Sequence, residues 1–201
     1  MVLIGVVGLA GALSLGLADP RDIGSFKWQD DFKSETDRWE FIAPAGGRLN
    51  PNVGALLVEF SSGDGDQLAL ALTARPDTDF TLEVAGAQPS GESQAEYGLV
   101  FAWQDALHYS AVLINRNGYA EAYRLEGGER RDWFTWQQWP NILLGTDNNR
   151  VRVDVRGTHL VARVNDELLV EATTQADGKI GVLAKSAGPA QVVFSWARVS
   201  W

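Results

Sequence analysis

The sequence predicts an all-β protein: an antiparallel two-sheet jelly-roll sandwich with an N-terminal hydrophobic helix. Three observations predict it. From about Phe26 onward, apolar and polar residues alternate with a period of two, the pattern of a strand with one buried face. Gly, Asn and Asp recur between these runs, as in "NRNG", "EGGE", "RGT", "VND" and "ADGK", where the backbone must turn through positive φ. No stretch after residue 20 carries an apolar stripe at helical spacing.

The elements follow in chain order. Residues 1–18, "MVLIGVVGLAGALSLGLA", carry no charged side chain, and the first charge is Asp19. As a helix they would extend roughly 27 Å, near the about 30 Å of a bilayer's hydrocarbon. Gly5, Gly8, Gly11 and Gly16 lower helix propensity but are common in membrane helices. An uncleaved membrane anchor fits the length and the polar boundary at "ADPRD". A secretory signal fits the small-residue ending "GLA" but lacks a positive n-region. The absence of a polar face argues against a buried core helix. Residues 1–20 therefore read as a membrane anchor or signal segment, and residues 21–201 as one sandwich domain held outside the cytoplasm, in a periplasm or at a cell surface.

Strands are expected at 26–33, 53–60, 67–73, 80–86, 97–103, 108–114, 119–125, 133–138, 150–156, 160–164, 168–173, 180–184 and 191–200. In "DFTLEVA", Phe80, Leu82 and Val84 face inward while Thr81 and Glu83 face outward. In "VRVDVRG", Val151, Val153 and Val155 face inward. "YGLVFAW" (97–103) is apolar on both faces and fits a central strand covered on each side. The sequence "SSGDGDQ" (61–67) reads as a loop.

Composition narrows the function. A hydrophobic fraction of 45% with 21% charged residues is that of a globular chain. A net charge of −9 with no run of Lys or Arg excludes nucleic acid and a basic lipid-binding patch, both of which need clustered positive charge. With no cysteine, disulfides, thiolate metal sites and thiol catalysis are excluded.

The ordered run "QDDF", "DRWEF", "GALLVEF", "DFTLEV", "YGLVFAW", "HYSAVLINRNGYAEAYRL", "NRVRVDVRGTHLVARVNDELLVEA", "GKIGVLA" and "FSWARV" resembles the concanavalin A-like lectin/glucanase superfamily. More narrowly, it resembles bacterial extracellular jelly-roll domains of laminin G-like and keto-disaccharide-hydrolase type. The likeness covers about residues 26–201, and its most specific piece runs from Asn149 to Asn165. It implies that Asn149 opens a strand while Gly157 and Asn165 turn hairpins. These are structural positions, so the resemblance implies a fold more than an activity.

Catalytic sets are missing. Glucanases of the superfamily carry a Glu-x-Asp-x-x-Glu strand that sets acid and nucleophile in one cleft. Here Glu121 in "YAEAY" stands alone on its strand, and Glu83 and Glu171 lack partners at that spacing. No serine lies in a Gly-x-Ser-x-Gly elbow. An enzyme is not expected. His108 and His159 fall in different hairpins, so no metal is expected on them. Asp64 and Asp66 in "GDGD" are weak Ca2+ candidates, since hard cations take loop carboxylates but this loop lacks a further acidic ligand. No cofactor is otherwise expected.

The stretch "ERRDWFTWQQWP" concentrates Trp133, Phe134, Trp136 and Trp139 among polar residues. Indoles stack on the C–H faces of sugar rings, with neighbouring amides and charges reaching the hydroxyls. Candidate ligand-binding residues are therefore Trp133, Trp136, Trp139, Arg131, Tyr119 and Tyr123. Strand alternation puts Phe134 and Trp136 on one face and Trp133 and Trp139 on the other, unless a bulge intervenes. At most two of the indoles then meet one ligand. Packing on the sheet is the competing reading, with Pro140 shielding the strand edge. Trp196 and Trp201 read as core or interfacial aromatics. The expectation is a non-catalytic, carbohydrate-binding-type module tethered at a membrane through residues 1–18. The alternative is an accessory subunit docking on a membrane-protein partner.

Overall fold

The computed structural model describes residues 26–33, 39–42, 47–50, 54–61, 67–73, 79–91 and 94–201. The expected N-terminal helix and the loop carrying Asp64 and Asp66 lie outside these residues. The described chain is all strand and turn, with no helix. In order the strands are β1 (Phe26–Asp30), β2 (Glu40–Ile42), β3 (Gly47–Asn50), β4 (Leu56–Phe60), β5 (Gln67–Thr73), β6 (Phe80–Gly91), β7 (Glu96–Asp105) and β8 (His108–Ile114). They continue with β9 (Tyr119–Glu126), β10 (Glu129–Gln138), β11 (Asn149–Arg156), β12 (His159–Val164), β13 (Glu167–Thr173), β14 (Lys179–Ser186) and β15 (Ala190–Ser200). Each expected strand is found, and β2 and β3 are additional.

Two antiparallel sheets form a sandwich. One is eight-stranded, in the order β13-β12-β11-β6-β15-β4-β3 with β1 also on β15, and the other runs β10-β9-β8-β7-β14-β5-β2. Long β15 serves two neighbours on one side: Ala190–Phe194 pairs β4, while its final residues pair β1.

Between the sheets lies the main core. The first sheet contributes Phe80, Leu82, Val84, Val151, Val153, Val155, Leu160, Val192 and Phe194. The second contributes Tyr97, Leu99, Phe101, Val112, Ile114, Ile180 and Val182. Val151, Val153 and Val155 are buried as the alternation requires. Thr81, Glu83 and Asp154 face outward and are nonetheless buried, because arginines lie over them. Arg152 Nη2 donates to Asp154 Oδ1 at 2.7 Å, and Arg198 Nε donates to Glu83 Oε2 at 2.6 Å.

A second apolar cluster covers the outer face of the β10-to-β2 sheet: Leu70, Leu72, Val100, Tyr109, Ala111, Leu113, Tyr123 and Leu183, flanked by Ile42, Trp103 and Leu125. This explains why "YGLVFAW" is apolar on both faces. β7 lies between β8 and β14, with Leu99 in one cluster and Val100 in the other.

Candidate functional site

The aromatic run sits on β10, which among the described residues is an edge strand paired with β9 alone. Its register runs regularly from Glu129 opposite Glu126 to Asp132 opposite Tyr123, then moves to Phe134 opposite Ala122 and Gln137 opposite Ala120. Each step inserts one extra β10 residue, which is a β-bulge. The bulges sort the aromatics. Trp133 stacks on Phe101 of the main core, with centroids 6.2 Å apart and planes at 20°. Phe134 packs inward too, edge-on to Trp139 at 5.7 Å. Trp136 alone of the three indoles stacks on Tyr119, at 5.5 Å and 22°. Tyr119, Glu121 and Tyr123 share one face of β9 by alternation, so the Tyr119–Trp136 pair stands at the rim of the outer face. Both rings are half-buried.

Further along that face the site turns ionic. Glu121 is almost enclosed, its side chain 4% exposed. It accepts from Arg130 Nη2 at 2.7 Å and from Lys185 Nζ at 2.9 Å. Lys185 also lies 2.7 Å from Glu96 Oε2, so one ammonium from β14 joins carboxylates from β7 and β9. Arg130 Nε donates to Asp132 at 2.6 Å, and its guanidinium sits 4.1 Å from the centre of the Tyr123 ring. Tyr123 is buried beneath it, its hydroxyl 3.4 Å from that of Tyr109.

Burial sets the proton affinities, with the ion pairs acting against it. At Glu96, burial pushes the carboxyl up to about 7, with Lys185 pulling down and Glu121 pushing up. At Glu121, burial also pushes up, but Lys185 and Arg130 outweigh it and hold the carboxyl below its ordinary range. Lys185 is raised because Glu96 and Glu121 outweigh its own burial. The Tyr123 phenol is raised chiefly by burial.

Of the six residues singled out in the sequence, the outer face unites Tyr119, Trp136 and Tyr123, the last under Arg130. Trp133 and Trp139 join the core side. Arg131 pairs across from Arg124, out of phase with Arg130 and Asp132, and reaches Glu126 at 3.8 Å. Sequence reasoning missed Glu96, Lys185 and Arg130. The available signal was a charge inside an otherwise apolar strand, Glu121 between Ala120 and Ala122 and Lys185 after "GVLA". His108 pairs with Asp105 at 2.9 Å and His159 with Glu171 at 3.7 Å, each within its own region. Among the described residues no cluster of three metal-ligating side chains occurs.

No family model matches the sequence, and no curated protein matches it. Solved structures do match in fold. The carbohydrate-binding module CBM66 from Bacillus subtilis superposes with a TM-score of 0.61 at 17% identity, covering 79% of this chain and 94% of that one. The catalytic domain of an endo-1,3-β-glucanase (laminarinase) from Thermotoga petrophila gives 0.63 at 10%, covering 89% and 98%. A Bacteroides ovatus xyloglucan GH43B protein gives 0.67 at 19% over 90% of this chain, which spans 40% of that larger protein. Binding modules and hydrolases share this architecture, so the likeness is one of fold: the chain has the antiparallel two-sheet β-sandwich fold of these proteins.

Proposed function

We propose that this chain is a non-catalytic, extracytoplasmic recognition module that holds a glycan along the β9–β10 rim. The observation that carries the reading is the stacked, half-exposed Tyr119–Trp136 pair on the same face as the Arg130–Asp132 ion pair. Tyr119 and Tyr123 lie four residues apart, so aromatic and charged ends are separated by about 13 Å along the strand. An extended saccharide laid there meets a ring face at one end and hydrogen-bonding charges at the other. The CBM66 likeness supports a carbohydrate-binding-type sandwich. We assign the Glu96–Glu121 pair to structure. The Lys185 ammonium occupies the space between the carboxylates, where a glycosidic oxygen would have to sit for them to act on it.

Glycan-array binding of wild type and Trp136→Ala tests the reading. Loss of an indole that faces ligand is expected to weaken binding about tenfold or more. Binding to no glycan by wild type, or equal binding by the variant, overturns it.

Residues 1–18 are proposed to tether the module. Leu9→Arg in the full chain is expected to shift it from the membrane to the soluble fraction, since a central arginine costs about 2.5–3.5 kcal/mol of insertion. An unchanged distribution defeats the tether.

Leu143 and Leu144, exposed by 49% and 64%, favour a second reading in which the domain is an accessory subunit of a membrane complex. Leu144→Glu would then release the chain from a detergent-solubilised assembly without altering glycan binding.

A further inference from the structure

The two sheets differ on the faces they turn away from each other. An antiparallel sheet with one face in the core ordinarily presents polar side chains to water on the other. The β13-to-β3 sheet does so, through Thr81, Glu83, Arg152, Asp154 and Arg198. The β10-to-β2 sheet presents Leu70, Leu72, Val100, Ala111, Leu113 and Leu183 instead. Val100, Ala111, Leu113 and Leu183 are 0% exposed, and Leu70 and Leu72 only 2% and 1%. Outward-facing side chains reach such values only under a covering layer.

The described strands do not supply that layer. Those packed most closely against this sheet are its own ladder neighbours or β3, β6, β11 and β13 of the opposite sheet, on its inner side. Exposure returns at the margins, where Ile42, Trp103 and Leu125 are half-buried. The covered strip crosses β5, β14, β7, β8 and β9, roughly 19 Å from first strand to last. A helix of eighteen residues, roughly 27 Å long and about 10 Å across, spans it.

The chain holds one segment of matching character. Residues 1–18 carry no charge. The other stretches outside the described residues, 34–38, 43–46, 51–53, 62–66, 74–78 and 92–93, are five residues or fewer and are polar or carry proline. The leader also enters at a suitable end. Phe26 lies opposite Ser200, and Ser200 opposite Thr81 at the start of β6. β6 runs away from that end and β7 returns to it in the other sheet, so Trp103 shares it with Phe26. Residues 19–25 reach about 23–25 Å when extended. The path from one sheet past the other to a layer above it is about 20 Å.

We infer that residues 1–18 of the same chain dock on the outer face of the β10-to-β2 sheet. Docking removes two apolar surfaces from water at once, and this seat competes with a bilayer for the same segment. The rim stays outside it, since Tyr119 and Trp136 are half-buried. Glycan binding there and docking here can each fail alone.

The chain has no cysteine, so a single introduced thiol takes a label without background. A nitroxide on Ala10→Cys of the full chain, in lipid-free buffer, is expected to abolish the methyl NMR signals of Leu70, Leu113 and Leu183. Leu168, on β13 of the opposite sheet, should stay sharp. When nitroxide-bearing chains are mixed with isotope-enriched chains lacking the label, the outer-face signals of the latter should also stay sharp. Sharp outer-face signals in the labelled chain overturn the inference. So does signal loss in the mixture, which would seat a second copy's leader on the face. Maleimide reactivity gives an independent readout. Ala111→Cys is expected to react slowly, and Val6→Arg combined with Leu9→Arg to speed it about tenfold or more by releasing the leader. Ala122→Cys, on the inner face of neighbouring β9, should stay protected in both backgrounds. An unchanged rate at Ala111→Cys overturns the inference. If both cysteines become reactive the leader variant has unfolded, and the nitroxide result decides.

Discussion

Glu96 shows how much one carboxyl can be asked to do inside a sheet. Its ordinary value is 4.5 and burial carries it to about 7 in the folded chain. Between those values the unfolded chain has ionised this group while the folded chain still holds the proton. Stability therefore falls as pH rises from about 4.5 to 7 and levels off above. Glu121 works in the opposite sense: its depressed carboxyl contributes stability above its unfolded value that is lost as pH falls through the folded one. Glu96→Gln removes the first effect and leaves Lys185 paired with Glu121. The variant's stability relative to wild type is expected to grow by on the order of 2 kcal/mol between about pH 5 and pH 8. Urea melts at the two pH values check this. A constant difference would show that the carboxyl ionises normally. None of this was legible locally, because Glu96, Glu121 and Lys185 lie on three strands and only the assembled sheet brings them together.

Strand β10 marks where local reading succeeds and where it stops. Alternation identified the strand and set Trp136 opposite Trp133 and Trp139, as the ring contacts have it. It also grouped Phe134 with Trp136, whereas Phe134 packs inward against Trp139. The reason is the pair of bulges, each of which resets the phase of the side chains. The sequence signal for a bulge is weak because any residue can occupy it. The two aromatic roles separate by substitution. Trp133→Ala is expected to cost about 2–4 kcal/mol, since it opens a gap against Phe101. Trp136→Ala should stay within about 1 kcal/mol, as the ring it leaves is half-exposed. Chemical denaturation of both variants checks this, and equal losses would place both indoles in the core. β2 and β3 were missed for a simpler reason: three or four residues are too few to display a period.

At the scale of the whole molecule, the sandwich follows from alternation repeated many times, so the fold was legible where the site was not. Both layers depend on close strand approach. At Gly181 a Cβ would lie 2.0 Å from the Ala71 carbonyl oxygen, across the β14–β5 ladder. Gly181→Ala is expected to cost more than about 3 kcal/mol or to prevent folding, read by thermal circular dichroism. A wild-type midpoint would mean that the ladder yields at little cost. The two ends of the described chain also meet, since Phe26 on β1 lies opposite Ser200 on β15. A cargo joined after Trp201 therefore leaves from the same corner as the leader enters. If that leader holds the bilayer, the cargo is delivered at the lipid surface, and labelling it with an impermeant reagent reports how far the corner stands from the headgroups.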